Sequence, residues 1–232
     1  MKRSFFTRCL FIVTLAITSA SAQTTISDQE TETYVSDKSI STATLGKDYT
    51  GSPYANDEFQ NGTVYGTNNV LATNVVLRYN VLRDEIEIKS NANASNSEAR
   101  VLVKSPDIYV RILNNMYVYK TPTSNSDVSG YFLVMVEGEN KSLYKKIKKK
   151  YIEGKKSINS VSSDILPMYK EIDVMYLVTE TGEFEEIPNS RNKRIGLFAD
   201  HKKEVKQYIK EEKLNVSKDY ELVDLVKYYN TL

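Results

Sequence analysis

The chain has one cysteine, Cys9, one histidine, His201, and no tryptophan. Zinc and other transition metals are held by clusters of cysteine and histidine, so a conventional site of that kind has too few ligands here. Basic and acidic residues nearly cancel, 31 Lys+Arg against 30 Asp+Glu, which removes the electrostatic case for nucleic acid as a partner. A Ser-His-Asp triad built on His201 is formally possible, but no Gly-x-Ser-x-Gly elbow accompanies it. Calcium held by backbone and carboxylate oxygens stays open, although no Asp-x-Asp-x-Asp-Gly loop is present. No repeat of fixed period points to a solenoid or propeller. Beyond the N-terminus no run approaches the roughly 18 apolar residues that a membrane helix needs.

The N-terminus has a pattern of its own. Met1-Lys2-Arg3 and Arg8 form a basic region ahead of the apolar stretch Cys9 to Ile17, which is too short for a stable membrane anchor. Ala20 and Ala22 then occupy the small-residue positions read by signal peptidase, so residues 1–22 are expected to be a signal peptide, cleaved to leave Gln23 first. The alternative, an N-terminal helix kept in the fold, would bury an apolar stretch beside three cations and would need a partner surface. Cys9 precedes the apolar core, so it does not fit an acylated lipoprotein cysteine. Its removal would leave 210 of the 232 residues, enough for a real core without disulfides. The signal segment holds three basic residues and no acidic one, so the exported chain would carry 28 against 30. It would also keep all 17 tyrosines, a residue that suits pleated surfaces because its ring covers them while its hydroxyl faces water.

Residues 23–48 are rich in Ser and Thr and hold no sustained period, which predicts a flexible leader with room for a short strand near Tyr34-Val35. From about Tyr49 short β-prone runs alternate with turn residues. Asn61-Gly62 reads as a turn before Thr63-Val64-Tyr65. Residues 75–81 and 84–89 read as a hairpin, with Ile86 and Ile88 inward and Glu85 and Glu87 on a wet face. Further strands are expected at 101–103, 108–113, 116–120 and 130–137. Residues 143–152 fit a strand or a helix, the strand being preferred because a short turn links them to their neighbour. A polar loop is expected over 154–170, then a hairpin of 173–178 with 184–187. After Pro188 the rhythm is helical: a short turn at 191–198, a helix to about Leu214 capped by Asp200, and another capped by Ser217 with Leu222, Leu225, Val226 and Tyr229 on one face. The expected class is α+β, mainly antiparallel sheet in a meander, partly open barrel or sandwich, over 49–188, followed by C-terminal helices over 189–232 packed on it.

Two side-chain groupings are candidates for chemistry. Glu85 and Glu87 share a strand face about 7 Å apart, a separation near that of inverting glycosidases, yet any solvated strand can produce it. Glu183, Glu185 and Glu186 carry no stronger signal. Residues 141–156 are densely cationic, and Lys145, Lys146, Lys148, Lys149 and Lys150 form a possible anion-binding stripe with Tyr144 and Tyr151. The competing reading is that these lysines protect a strand from pairing with other chains. His201, beside Lys202 and Lys203, reads as a surface residue. The helix pair has the length of a DNA-binding helix-turn-helix, but export argues for a packing role.

The segment 56–62 (Asn-Asp-Glu-Phe-Gln-Asn-Gly), Leu77-Arg78-Tyr79-Asn80 with 84–87 (Asp-Glu-Ile-Glu), Gly130-Tyr131-Phe132 and the ending 227–232 (Lys-Tyr-Tyr-Asn-Thr-Leu) together resemble uncharacterised secreted or envelope proteins of Bacteroidota, over about residues 50–232. The resemblance implies export to the periplasm, outer-membrane periphery or exterior, and a sheet-then-helices order. It transfers no active-site residue. The expectation is a non-enzymatic binding or accessory protein of the envelope, without cofactor or metal, whose partner is an envelope protein, acidic glycan or lipid head groups. The alternative is a carboxylate-dependent hydrolase of glycan or peptide.

Overall fold

A computed structural model of the protein describes residues 34–40, 49–121, 127–157 and 163–232. The signal peptide expected over 1–22 lies outside the described residues, as does most of the leader. Thirteen strands and three α-helices follow in chain order. They are β1 (Val35–Ser39), β2 (Gln60–Tyr65), β3 (Val70–Asn80), β4 (Glu85–Lys89), β5 (Arg100–Leu102), β6 (Tyr109–Ile112), β7 (Asn115–Lys120), β8 (Gly130–Val136), β9 (Lys141–Lys146), β10 (Lys149–Ile152), β11 (Met168–Glu171), β12 (Val174–Thr179), β13 (Phe184–Glu186), α1 (Arg191–Gly196), α2 (Lys202–Glu211) and α3 (Asp219–Tyr229). Eleven strands form one open antiparallel sheet in the order β1-β5-β4-β3-β2-β6-β7-β8-β9-β12-β13, and β10 with β11 forms a separate ribbon. The expected class, antiparallel sheet followed by C-terminal helices, is the one observed.

The sheet curls on itself. On a flat sheet β3 and β8 would lie about 19 Å apart, four strand spacings. Instead the rings of Tyr79 and Tyr131 are 5.9 Å apart, and the Tyr131 N–H donates to Asp84 Oδ1 at 3.1 Å. Asp84, in the β3–β4 turn, also accepts from the Tyr79 hydroxyl at 2.6 Å and pairs with Lys146 Nζ of β9 at 2.9 Å. It adopts φ 53°, a left-handed conformation that aspartate tolerates better than most residues. Gly130 makes the approach possible: its φ is +104°, and a Cβ there would sit 1.9 Å from Asp84 Oδ2 and 2.2 Å from Lys146 Nζ. Inside the curl Leu77, Tyr79, Ile86, Leu102, Val110, Tyr117 and Tyr131 form one buried cluster.

The face lining the curl continues along Leu143, Met175 and Leu177, and a register shift between Val134 and Val136 brings Val136 onto it. There the helices cover it, burying Ile195, Phe198, Val205, Ile209, Leu222, Leu225, Val226 and Tyr229. The i, i+3, i+4, i+7 stripe read for α3 is therefore its buried face. Asn230, just after α3, locks the helix onto the β8–β9 turn: its Nδ2 donates to the Lys141 and Val226 carbonyls, and its Oδ1 accepts from the Asn140 and Lys141 N–H groups. A Cβ on Gly138 would lie 2.3 Å from the Asn230 amide, so any side chain there would displace that amide from its bonds.

Several expectations change. Asn61-Gly62 lies within β2 and is no turn; Gly62 is needed because a Cβ would meet the Arg111 carbonyl oxygen and Leu77 Cδ1, both at 2.6 Å. Neither expected cap forms. His201 and Lys218 hold the N-cap positions without side-chain bonds, while the Asp200 carboxylate accepts from the Tyr229 hydroxyl at 2.5 Å. That bond draws Asp200 below the ordinary carboxylate range. The strand preferred for residues 143–152 is observed, divided into β9 and β10 with two residues between them. The span 154–170 is no simple loop: Lys155 and Ile165 exchange both backbone hydrogen bonds at 2.8 Å, and β11 begins at Met168. The short strand allowed for near Tyr34-Val35 is present as the edge strand β1, with Tyr34 buried beside it.

Removing the Asp84 carboxylate orphans a phenol, an N–H and an ammonium together, so Asp84→Ala should cost about 2–4 kcal/mol, read as a lower urea midpoint. Burial also pushes the Tyr117 and Tyr229 phenols up to about 12, the latter helped by its bond to Asp200. Tyr79, Tyr131 and Tyr144 move further in the same direction. Groups raised in the folded state contribute stability that is whole below the unfolded tyrosine value of about 10 and lost as pH climbs through the folded values. Far-ultraviolet dichroism and tyrosinate absorbance should therefore change in one cooperative step above about pH 10. Gradual ionisation near 10 with unchanged dichroism would contradict this.

Candidate functional site: the basic ribbon and the buried carboxylates

The lysines that look like one stripe in the sequence are distributed by the fold. Strand alternation sends Lys145 and Lys146 to opposite faces. Lys145 meets Asp219 in the first turn of α3 at 2.7 Å, and Lys146 joins the Asp84 clasp. Burial draws the Lys146 ammonium below the ordinary lysine range, with Asp84 pulling it back. Lys149 donates to the Tyr54 carbonyl at 2.6 Å and lies 3.4 Å from Glu171. Three of the five thus have partners within the fold. Among the described residues no carboxylate lies within ion-pair distance of Lys148 or Lys150, and the same holds for Lys155, Lys156 and Lys170.

Those last lysines belong to the β10–β11 ribbon, whose register pairs Lys149 with Glu171, Lys150 with Lys170, Tyr151 with Tyr169, and Ile152 with Met168. One face is fixed to the body. Tyr169 is buried between the rings of Tyr49 and Tyr151, at 5.5 and 5.3 Å. Residue 50 holds the outer side of β11: the Thr50 N–H donates to the Pro167 carbonyl and the Tyr169 N–H to the Thr50 carbonyl, at 2.8 and 2.9 Å. Close contact with the Tyr169 backbone and a φ of +80° suit Gly51 to this crossing. The other face carries Lys150 opposite Lys170 and Ile152 opposite Met168, all exposed. Towards the tip, Ile165 and Leu166 are 63% and 49% exposed.

The two glutamates lie on a face that is buried, not wet; all five residues of β4 are enclosed. The lid is the segment before β2, pinned by Ala55 N–H to the Tyr79 carbonyl and Val81 N–H to the Pro53 carbonyl, both 2.9 Å. Glu87, 1% exposed, accepts from Arg78 Nε and Nη2 on one oxygen at 3.1 and 2.7 Å and from Asn80 Nδ2 on the other at 3.2 Å. The guanidinium is sandwiched between Tyr54 and Phe59, 3.7 and 4.3 Å from their centroids. Glu85 pairs with Lys38 of β1. Both carboxylates are thus taken up in ion pairs within the fold, Glu87 beneath the lid and Glu85 at the β1 edge.

Among the described residues the surface includes two open depressions. One, about 400 Å³, is lined by residues 54–58, Gln60 and Lys149; the other, about 440 Å³, by Asp37, Ser39 and residues 97–100. Neither contains a histidine. His201 stacks edge-on against Tyr229, 5.7 Å between centroids. Among the described residues no three His, Cys, Asp or Glu side chains gather as metal ligands, and no helix is long and apolar enough to cross a membrane.

No family model, curated protein or solved structure matches the chain at a significant level. Fold and surface define it as an open antiparallel sheet protein with a helical cap and a projecting basic ribbon. Sequence reasoning missed that ribbon as a unit and missed Arg78 altogether. A signal for each existed. Lys149-Lys150-Tyr151-Ile152 and Met168-Tyr169-Lys170-Glu171 are matched β-prone runs, and a tight turn between Asn80 and Glu85 puts Arg78 opposite Glu87.

Breaking a buried pair from one side leaves an uncompensated charge, so Glu87→Gln should cost roughly 3–5 kcal/mol by urea denaturation. A neutral effect would show that water reaches Arg78.

Proposed function

We propose that the chain is an exported, non-enzymatic binding or accessory protein of the bacterial cell envelope. The observation that carries this reading is the outward face of the β10–β11 ribbon, where apolar side chains and lysines without carboxylate partners are held out on a rigid support. A lysine pair placed directly across two strands is unfavourable for the ribbon itself. An anionic partner would offset that repulsion. The signal-peptide pattern of residues 1–22 and the resemblance to envelope proteins of Bacteroidota support an envelope location for such contacts. The hydrolase reading draws no support from the site geometry, because its best pair, Glu85 and Glu87, is enclosed and ion-paired.

Expression of the whole chain in a Gram-negative host tests this. Sequencing of the product should begin at Gln23, and the protein should co-sediment with isolated envelopes, less so when Lys150 and Lys170 are both changed to Gln. A soluble cytoplasmic product that keeps Met1 and ignores envelopes would overturn the reading. Release of sugars or peptides from envelope material, lost in Glu85→Gln, would replace it with the hydrolase.

A further inference from the structure

We infer that the outward face of the β10–β11 ribbon is a docking surface for an anionic lipid bilayer. The inference deepens the binding role proposed above and rests on it. Its first ground is the layout of the face: Ile152 and Met168 form one cross-strand pair and Lys150 and Lys170 the next, so apolar and cationic groups lie side by side. Leu166, exposed and in phase with Met168, extends the apolar part, and exposed Ile165 lies beside it, its backbone paired with that of Lys155. Apolar side chains flanked by lysines match the boundary between acyl chains and phosphates, where the hydrocarbon part inserts and the ammonium groups stay at head-group level.

Charge supplies the second ground. Residues 148–157 and 163–172 contain six lysines (148, 149, 150, 155, 156 and 170) against Glu153, Asp164 and Glu171. Glu171 is taken by Lys149, which leaves five lysines against Glu153 and Asp164, a cationic excess. The remaining lysines attract an anionic surface, each adding to adhesion within a Debye length of it. Rigidity is the third ground. Tyr49, Thr50 and Tyr169 anchor the inner face, so little ordering opposes docking. An acidic soluble polymer would satisfy the lysines but would leave the exposed apolar groups in water, which favours the bilayer.

The test uses the chain beginning at Gln23, which keeps every described element, with vesicles of phosphatidylcholine alone or mixed with phosphatidylglycerol. Binding is expected only to the mixed vesicles and should weaken as salt rises. Lys150→Gln with Lys170→Gln should weaken it by about tenfold or more. Ile152→Ser with Met168→Ser should remove the part that survives high salt. All four positions are exposed, and unchanged circular dichroism would confirm that the variants fold. Equal affinity for neutral vesicles, no vesicle binding, unaltered affinity in both double variants, or binding to polyglutamate in place of vesicles would each overturn the inference. If envelopes still retain the protein while vesicles do not, the lipid assignment fails and the broader binding role stands. Loss of both removes the two together.

Discussion

One carboxylate sets the curvature of this sheet. Asp84 ties a turn between β3 and β4 to the first residues of β8 and to the last lysine of β9, elements that a flat sheet would hold far apart. Hydrophobic burial favours curling, since the concave face is lined by Leu77, Ile86, Val110 and tyrosine rings, but burial is non-directional. The clasp supplies direction. It requires glycine at 130 and a left-handed aspartate at 84, and a core forms around it in which Tyr79 meets Tyr131 edge to face and Tyr117 at a tilt.

Charge elsewhere in the fold holds covering elements in place. Arg78, Glu87 and Asn80 bind the lid segment to the outer face of β3 and β4, with two aromatic rings closing over the guanidinium. Lys145 and Asp219 connect the sheet to the helical cap at a helix start, where an acidic residue is already favoured. Against these satisfied pairs the ribbon stands out. Among the described residues Lys150, Lys155, Lys156 and Lys170 have no carboxylate partner, and Ile152, Ile165, Leu166 and Met168 are exposed, so the surface that the fold does not use internally is the one available to something outside.

The architecture was legible wherever local pattern and burial agree. Two-residue alternation located the strands from β2 to β9, and the spacing of Leu222, Leu225, Val226 and Tyr229 identified the buried face of α3. Pattern misled where a second layer covers a polar face. Glu85 and Glu87 alternate with isoleucines as residues of a half-wet strand do, yet the lid removes them from water. It misled again at Gly62, where close backbone packing, and no change of chain direction, is the reason for glycine. The candidate lysines were visible as a cluster, but neighbours on a strand face opposite ways, and the partners of Lys145, Lys146 and Lys149 come from distant parts of the chain.

Composition and periodicity by themselves determined the class of the fold, the want of disulfide or conventional metal support, and the order of sheet before helices. These follow from residue type and local spacing, which act over a few residues. Which charges are neutralised inside, and which are left to the surface, was decided only by tertiary structure. Ion pairing depends on distances of a few ångströms between side chains separated by tens of residues, and the curl of the sheet and the placement of its covering segments set those distances.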